Sequence, residues 1–526
     1  MIPVYTSKQA GDLDAQVTEL HKIPSLLLME NVATEIVREI NELTDANAVA
    51  TLILCGTGNN SGDGLAIARK LLEQEYKTSI ALINPQQKDL APNTEINLNI
   101  LKAMVDSGNY DGEFVTSEEC VEQLQAYEII IDTVFGIGFR GELHSSIESL
   151  FRATNNTNAL KLAVDIPSGI HTDTGAGEGF FRADYTFTVA GVKQGLLLQN
   201  GIDAAGEIIV IPLEGSNGIA KNAQTSGFVS NEFYAQSHIP QRPKNSHKYS
   251  NGRLVIIAGS SHYPGAPILT AVAAIKAGCG APTLYLPKGV HPNGISEHPE
   301  LVIKHYGGSK EGVLTASSLD EIMSDLQKAD AIVLGPGLGR DEQTGKAIQS
   351  IISTTTQPIV LDADALFFWD EKVIKNSHPD RIIVTPHKGE FSSITGKALG
   401  VIEQNVVESL KGFTEEYRVI TVLKGPNTII ASATELWCWN VTGNQGLATF
   451  GSGDVLSGII GSFAAMHSDS TLKQKVDAAV FVHGAVAEVL SLTQHPNTIT
   501  ASNVAEGITE VITQLFFEKE EGKLDE

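Results

Sequence analysis

Apolar runs of strand length alternate with stretches of helical periodicity along nearly the whole chain. The strands predicted in the first half are Ala50–Cys55, Lys77–Ile83, Glu128–Val134, Leu160–Ile166, Asp184–Val189 and Glu207–Leu213. The strands predicted in the second half are Arg253–Ala258, Ala331–Leu334, Ile359–Asp362, Arg381–Thr385 and Val419–Leu423. Helices are predicted between strands, as over Leu26–Leu43 and Gly64–Gln74. Near-continuous β-branched runs are typical of parallel strands covered by helices on both faces, so we expect an α/β fold in each half.

The periodic pattern is lost between Glu214 and Asn251, where Ser, Asn, Gln and Pro accumulate. A chain of 526 residues is also too long for one hydrophobic core. We therefore expect one domain over residues 1–225 and a second over residues 226–526.

Composition narrows the classes of function. Lys and Arg number 37 against 62 Asp and Glu, a net charge of −25, which disfavours nucleic acid and anionic membranes as partners. The sequence shows neither a signal-peptide pattern nor an apolar run of membrane-spanning length, which predicts a cytoplasmic protein. Four widely spaced cysteines fit neither a disulfide framework nor a zinc site: Cys55, Cys120, Cys279 and Cys438.

A glycine-rich segment follows the first of these strands. Gly56–Gly64 reads GTGNNSGDG, and a helix is predicted from Leu65. Glycines allow backbone N–H groups to approach a ligand closely, and a helix N-terminus favours an anion, so we expect a phosphate here. The segment matches neither GxGxxG nor a Walker A motif. A tight strand–helix turn is the structural alternative, although two asparagines and an aspartate exceed what such a turn needs.

Two other predicted strands of the first half end in aspartate. Asp132 precedes TVFGIGFRG, and Asp165 precedes IPSG. A carboxylate at the end of a buried strand is costly unless it meets a cation, a ligand or backbone donors. Capping of the next turn is the alternative for each aspartate alone, but three polar strand ends in one sheet favour a binding site.

These segments, together with SLLLMENVA, make residues 1–215 resemble the NAD(P)H-hydrate epimerase domain of nicotinamide-nucleotide repair proteins. The resemblance implies inversion at the hydroxylated ring carbon of NADHX and NADPHX, with Asp165 as the acid/base candidate. It implies potassium (K+) bound by three oxygen-bearing side chains, Asn60, Asp132 and Ser168. It implies substrate contacts at Asn59, Asn60, Ser61, Gly62, Asp63, Gly136, Ile137, Gly138, Phe139, Arg140, Gly141, Glu142 and Asp165.

The second half carries its strongest signal at Phe450–Gly458, FGSGDVLSG, which leads into a helical pattern over Ile459–Met466. Backbone N–H groups there can form an anion hole, and Asp454 at its mouth can accept a hydroxyl proton. A helix-capping aspartate with glycine spacers is the structural alternative. Polar segments at four other predicted strand ends outline one rim: GPGLG from Gly335, DADAL from Asp362, TPHKGE from Thr385 and KGPNT from Lys424. For His387 alone, a structural histidine is the alternative.

Together these segments make residues 230–515 resemble the ADP-dependent NAD(P)H-hydrate dehydratase domain, a branch of the ribokinase-like superfamily. By this resemblance Asp454 is the base that lets the hydrate's hydroxyl attack the β-phosphate of ADP, after which phosphate leaves and NAD(P)H, AMP and phosphate result. Magnesium (Mg2+) is the expected helper of the phosphoryl transfer. The implied substrate contacts are Gly337, His387 and Asp454. The implied nucleotide contacts are Lys424, Gly425, Pro426, Asn427, Thr428 and Gly453.

The predicted protein is thus a bifunctional repair enzyme, an isomerase fused to a lyase. Its predicted fold is an N-terminal Rossmann-like α/β/α sandwich followed by a ribokinase-like α/β domain, and we expect a homo-oligomer. One alternative is a ribokinase-like small-molecule kinase that uses Asp454 in the same way and carries a fused nucleotide-binding module. A second alternative makes the first domain a non-catalytic binding module. A stable phosphorylated product would distinguish the kinase.

Overall fold

A computed structural model describes residues 1–44, 49–84, 86, 88–216, 224–291, 297–307 and 312–521. The chain divides into two compact units, the first over Ile2–Gly227 and the second from Phe228 onward. None of the helices in the described ranges combines the length and the apolar character that crossing a bilayer requires.

The first unit is built on a parallel sheet. Its strands are β1 (Ile2–Tyr5), β2 (Ala50–Cys55), β3 (Lys77–Leu82), β4 (Gly112–Val115), β5 (Ile129–Thr133), β6 (Leu160–Val164), β7 (Tyr185–Val189), β8 (Val192–Lys193) and β9 (Glu207–Ile211). Seven strands form the sheet in the order β4-β3-β2-β5-β6-β7-β9, with every pair parallel. The strand order reverses between β2 and β5, so a crevice is expected at their carboxyl ends.

Both faces of this sheet are covered by helices. They are α1 (Ser7–His21), α2 (Ser25–Leu43), α3 (Asn59–Glu73), α4 (Pro92–Asp106), α5 (Ser117–Gln123), α6 (Ser145–Thr154) and α7 (Gln199–Ala205). Along β2, Ile53 and Cys55 join one hydrophobic core, whereas Leu52 and Leu54 join another on the opposite face. Two cores, one on each side, explain why this strand is a continuous apolar run.

The second unit contains the remaining strands. They are β10 (Gly227–Val229, at the boundary), β11 (Arg253–Ile257), β12 (Ala281–Pro287), β13 (Val302–Tyr306), β14 (Ala331–Leu334), β15 (Ile359–Leu361), β16 (Ile382–Val384), β17 (Ile420–Leu423), β18 (Thr428–Ala431) and β19 (Cys438–Asn440). Their order is β13-β12-β11-β14-β15-β16-β17-β18-β19-β10. The order reverses between β11 and β14, and all pairs from β13 to β17 are parallel.

The helices of the second unit are α8 (Glu232–His238), α9 (Ala266–Lys276), α10 (Leu319–Leu326), α11 (Glu342–Thr354), α12 (Asp364–Phe367), α13 (Glu371–Lys375), α14 (Lys388–Thr395), α15 (Leu399–Gln404), α16 (Val406–Tyr417), α17 (Ser452–Ala465), α18 (Leu472–Ser491) and α19 (Ala501–Glu521). Residues of α9, α17, α18 and α19 share one large hydrophobic core with the central strands. The α/β class predicted for both halves is confirmed.

Two features differ from the sequence-based expectations. β17 and β18 are antiparallel, as are β18 and β19, because the four residues between β17 and β18 are too few for a parallel crossover. The helices predicted from Gly64 and Ile459 begin earlier, at Asn59 and Ser452. Their first turns consist of Gly, Ser, Asn and Asp, whose weak helix propensity hides the true start.

Candidate active sites

One cleft of about 690 Å³ in the first unit gathers the loops that follow β2, β5 and β6. These strands are neighbours in the sheet, at the place where the strand order reverses. The predicted substrate contacts that line the cleft are Asn59, Asn60, Asp63, Gly136, Ile137, Gly138, Phe139, Arg140, Glu142 and Asp165. Ser61, Gly62 and Gly141 are not among its lining residues. The Ser61 hydroxyl is buried and donates to the carbonyl of Thr133 at 2.8 Å.

The three predicted potassium ligands meet beside this cleft. Asp132 Oδ1 accepts a hydrogen bond from Ser168 Oγ and Oδ2 accepts one from Ser168 N–H, both at 2.7 Å. Ser168 Oγ in turn accepts the N–H of Phe135 at 2.8 Å, and the Asn60 side chain donates to the Phe135 carbonyl at 2.8 Å. Burial outweighs these hydrogen bonds and raises the pKa of Asp132 to about 6. A buried carboxylate in such a setting favours a nearby cation.

Asp165 lies in the cleft on a strained stretch of backbone. Its φ of 68° is in the left-handed region, which non-glycine residues rarely adopt. The Lys193 ammonium lies 2.5 Å from Asp165 Oδ1 and also donates to the carbonyl of Val189 at 2.5 Å. Lys193 is 2% exposed as a residue, so a buried cation holds this carboxylate in place. Strain of this kind persists where the surroundings over-determine one conformation, as they do in many functional sites.

Two further carboxyl groups share the cleft with Asp165. Burial raises the pKa of Asp63 well above its usual value, and the negative charges of Asp165 and Asp14 raise it further. Burial likewise raises the pKa of Asp14, with Asp165 adding to the shift and Lys193 opposing it. The cleft therefore offers one carboxylate paired with a lysine and two carboxyl groups with raised pKa values, an arrangement that suits acid/base chemistry.

Arg140 ties the glycine-rich loop after β5 to the start of α1. Its guanidinium donates to the carbonyls of Ile137 at 3.0 Å and Phe139 at 2.7 Å, and to Ser7 Oγ at 2.6 Å. Ser7 is held by Asp173, which accepts its N–H and its hydroxyl. This side chain thus shapes the loop in addition to lining the cleft.

Sequence reasoning missed two groups of the first cleft, Lys193 and Asp14. The available signal for Lys193 is a lysine inside the apolar segment AGVKQGLLL, where a charged side chain needs a partner. Asp14 lies in α1, far along the chain from the glycine-rich loops. Only the folded chain brings it to the cleft.

In the second unit, the residues that follow β15, β16 and β17 meet beside the first turns of α17, because Asp362 accepts hydrogen bonds from Thr385, Lys424 and Ser457. Lys424 directly follows β17, and its ammonium lies 3.2 Å from Asp362 Oδ1 and 3.7 Å from Glu390 Oε2. A Cβ added to Gly453 would lie 3.4 Å from the same ammonium. Lys424 and Gly453, both predicted nucleotide contacts, are therefore adjacent.

Asp454 lies in the first turn of α17. The capping position is Gly451, and no side chain caps this helix, so the structural alternative of a capping aspartate does not apply. Burial raises the pKa of Asp454 to about 7, the negative charge of Asp362 contributes, and Lys424 opposes the shift. A carboxylate that titrates near neutral pH is suited to act as a general base.

His387 caps α14 rather than standing free. Its Nδ1 accepts the N–H groups of Gly389 at 3.0 Å and Glu390 at 3.2 Å, as the structural alternative anticipated. The side chain is nevertheless 60% exposed, and its other ring nitrogen, Nε2, lies 3.6 Å from Glu390 Oε2. Gly337 has a φ of 63°, and a Cβ there would lie 2.8 Å from Tyr263 Cβ. This glycine lets the loop after β14 pass close to Tyr263.

The other predicted nucleotide contacts lie beside Lys424. Gly425, Pro426 and Asn427 form the turn between β17 and β18, and Thr428 is the first residue of β18. The Thr428 hydroxyl donates to the carbonyl of Gly425 at 3.3 Å. The turn therefore starts from the lysine that faces α17.

Two groups of the second site were not predicted from sequence. Asp362 lies beneath Lys424, although the sequence marked only its segment as part of the rim. His483 of α18 is buried below α17, where its Nε2 lies 3.0 Å from the carbonyl of Ser452 and 3.2 Å from Ser452 Oγ. Burial lowers the pKa of His483 to about 4, so the ring is neutral near pH 7 and donates to that carbonyl.

Comparisons with known proteins match both units. The family described as YjeF-related protein N-terminus matches residues 25–195, and the family described as NAD(P)H-hydrate dehydratase matches residues 254–510. The bifunctional NAD(P)H-hydrate repair enzyme of Dictyoglomus turgidum is 32% identical over 95% of this chain and 96% of its own length. The chain belongs to the family of bifunctional NAD(P)H-hydrate repair enzymes. The Escherichia coli member is 33% identical over 84% of this chain and 80% of its own length.

A solved structure also matches part of the chain. The ADP/ATP-dependent NAD(P)H-hydrate dehydratase from Bacillus subtilis, co-crystallised with ATP and Mg2+, is 29% identical, with a TM-score of 0.47 over 55% of this chain and 98% of that chain. The predicted family and its two activities, isomerase and lyase, are confirmed by the matches along the sequence. The roles of individual site residues stay predictions.

Proposed function

We propose that the cleft of the first unit interconverts the R and S forms of NADHX and NADPHX, and that the second unit dehydrates the S form with ADP as cosubstrate. One observation carries the residue-level proposal: Asp454 and the Lys424 ammonium flank the uncapped N-terminus of α17. A base, a cation and free backbone N–H groups at one corner are what phosphoryl transfer to a hydroxyl requires.

Dehydration then follows from leaving-group chemistry. Asp454 accepts the proton of the ring hydroxyl, and the hydroxyl oxygen attacks the β-phosphorus of ADP. The bond from the β-phosphorus to the bridging oxygen breaks, and AMP leaves with the electron pair, while Lys424 and the N–H groups at Gly451–Gly453 offset the developing charge. The lone pair of the ring nitrogen expels inorganic phosphate. Loss of a proton from the neighbouring ring carbon restores the dihydronicotinamide.

Magnesium would supply further charge compensation on the nucleotide phosphates. No group of three or more His, Cys, Asp or Glu side chains suited to a metal is found among the described residues. Magnesium commonly binds through substrate phosphates and one or two carboxylates. We therefore assign no set of protein ligands to magnesium, and the roles proposed for Asp454 and Lys424 do not depend on such a set.

Epimerisation uses the carboxyl groups of the first cleft. Lys193 holds Asp165 in a fixed orientation, which suits a group that moves a proton at the carbinol centre. The glycine-rich loops after β2 and β5 line the same cleft and offer backbone N–H groups for the phosphates. Because the whole chain carries a net charge of −25, these local donors must overcome a repulsive field.

Potassium fits the oxygen-rich corner formed by Asn60, Asp132 and Ser168. When bound, it would supply one positive charge beside the buried Asp132 carboxylate. We expect Asp132→Ala to raise the potassium concentration needed for half-maximal epimerisation and to leave dehydration of the S hydrate unchanged. Titrating potassium against the epimerisation rate, with ionic strength held by a tetraalkylammonium salt, checks this. An unchanged potassium dependence in the variant would contradict the assignment.

The test of the second activity is incubation of pure S hydrate with ADP or with ATP. The absorbance of the recovered dihydronicotinamide and the release of AMP and phosphate are measured together. We expect one AMP and one phosphate for each NAD(P)H recovered when ADP is the cosubstrate. A phosphorylated product that persists, without recovery of NAD(P)H, would support the small-molecule kinase instead. A cytoplasmic location and a homo-oligomeric state also remain predictions.

A further inference from the structure

A buried carboxylate lies beneath the catalytic corner of the second unit. Asp362 directly follows β15 and exposes 1% of its surface. Its Oδ1 accepts hydrogen bonds from Thr385 Oγ1 at 2.7 Å and Lys424 Nζ at 3.2 Å. Its Oδ2 accepts a hydrogen bond from Ser457 Oγ at 2.8 Å. Because the donors follow β16 and β17 or belong to α17, this one carboxylate connects the elements that form the site.

We propose that Asp362 is a positioning residue of the dehydratase: it holds the Lys424 ammonium against the N-terminus of α17 and keeps a fixed negative charge facing Asp454. The proposal rests on the dehydratase function proposed above. Asp362 is buried and already receives three hydrogen bonds, so it acts through Lys424 and Asp454 rather than by taking the substrate's proton.

The first role follows from the flexibility of lysine. A lysine side chain has four rotatable bonds, and its ammonium prefers water unless partners fix it. Asp362 at 3.2 Å is the nearer of two carboxylates that contact Lys424, and Glu390 at 3.7 Å is the other. Loss of the Asp362 charge removes the nearer of these two anchors and leaves Glu390 of α14 as the carboxylate within ion-pair distance of the ammonium.

The second role follows from the charges that face Asp454. Burial contributes most to its raised pKa, Asp362 comes next, Lys424 opposes the shift, and Asp364 adds a smaller contribution. Both Asp362 and Asp364 lie just after β15. Removing the Asp362 charge lowers the pKa of Asp454.

The test uses Asp362→Asn in the full-length chain, with kcat and kcat/KM for S hydrate measured from pH 5 to pH 9 at saturating ADP. We expect the acid limb of the profile to move by about one pH unit to lower pH. We also expect kcat on the plateau to fall by roughly 10- to 100-fold because Lys424 is misplaced. Ionisation of ADP itself is the same for all variants, so a difference between their profiles reports on the protein.

Asp364→Asn is the matched control, since it removes a neighbouring carboxylate that does not contact Lys424. It should move the acid limb less than Asp362→Asn does. A lower plateau with an unmoved acid limb in Asp362→Asn would overturn the proposal and leave Asp362 a purely structural residue. If that variant does not fold, Lys424→Met tests the electrostatic coupling of Asp454 to Lys424. Loss of the Lys424 cation should raise the pKa of Asp454 and so move the acid limb to higher pH. An inactive wild-type enzyme at every pH would refute the dehydratase function itself.

Discussion

At the scale of single residues, burial has opposite results for the pKa values of two groups near the start of α17, Asp454 of that helix and His483 of α18. It raises the pKa of Asp454 to about 7 and lowers the pKa of His483 to about 4. In both cases removal from water disfavours the charged form. The aspartate thereby gains proton affinity in the range where a base is useful, and the histidine stays neutral and holds the Ser452 carbonyl.

The role of Asp454 leads to a direct prediction. Asp454→Asn removes the base while keeping the shape of the side chain, so we expect dehydration of S hydrate to fall by about 10²- to 10⁴-fold. Epimerisation in the first unit should be unchanged, which provides the internal control. The absorbance of recovered NAD(P)H measures the first rate, and separation of the R and S hydrates measures the second. Normal dehydration by Asp454→Asn would contradict the assignment of Asp454 as the general base.

His483 makes a prediction about stability and pH. Its pKa is about 4 in the folded chain and 6.5 as an unperturbed group, so the unfolded chain binds more protons between these values. The second unit should therefore lose about 3 kcal/mol of stability as pH falls from above 6.5 to 4. We expect His483→Gln to lose less over the same range. The unfolding temperatures of the wild-type protein and of His483→Gln are compared at pH 7.5 and pH 4.5. An equal loss of stability in the two proteins would contradict the expectation.

At the scale of elements, the contact between α3 and the sheet explains one glycine of the NNSGDG segment. A Cβ added to Gly64 would lie 2.2 Å from Thr133 Oγ1, at the end of β5. Thr133 itself donates to the Leu54 carbonyl of β2 at 2.8 Å, so it cannot move without loss of that bond. The glycine therefore sets how closely the helix start approaches the sheet, and so positions Asn60 and Asp63.

We expect Gly64→Ala to destabilise the first unit by about 1–3 kcal/mol and to lower its epimerisation rate. Gly11→Ala is the matched control, because a Cβ at Gly11 meets no atom within 4 Å and lies inside α1. It should stabilise the protein by about 0.5–1 kcal/mol. Thermal unfolding of both variants measures these changes in stability. An unchanged stability of Gly64→Ala would contradict the expectation and show that the start of α3 can shift without loss of free energy.

The strands also show how much of the fold can be predicted from the sequence. The bounds of β2 and β14 agree with their predicted ranges, since each is an apolar run that ends at glycine. β13 reads VIKHY and is largely exposed, so it does not carry the pattern of a buried strand. β18 reads TIIA and is buried over its last three residues, but an apolar run of three residues is too short to predict a strand. In the sites, the glycine-rich segments were visible in the sequence. Lys193 and Asp362 also stand out in the sequence as charged residues in or after apolar runs, but only the fold shows their partners. His483 lies in a regular helical stretch, so only its contacts reveal its place in the site.

At the scale of the whole molecule, each compact unit has its own candidate site, built on loops that follow parallel strands. The two reactions share an intermediate, because the S hydrate formed by the first unit is the substrate of the second. If the hydrate diffuses freely between the sites, one protein molecule can perform the epimerisation and a different molecule the dehydration. Asp165→Ala should then stop conversion at the S fraction, and Asp454→Asn should slow the recovery of NAD(P)H by the factor of about 10² to 10⁴ expected for loss of the base.

The most direct test mixes these two variant proteins with an R and S hydrate mixture and ADP, and follows the absorbance of recovered dihydronicotinamide to completion. A protein-free sample corrects for spontaneous epimerisation. We predict that the mixed variants recover all of the NAD(P)H that the wild-type protein recovers. Alone, Asp165→Ala should stop at the S fraction, and Asp454→Asn should recover NAD(P)H far more slowly. Recovery that stops at the initial S fraction in the mixture would contradict the assignment of one reaction to each unit.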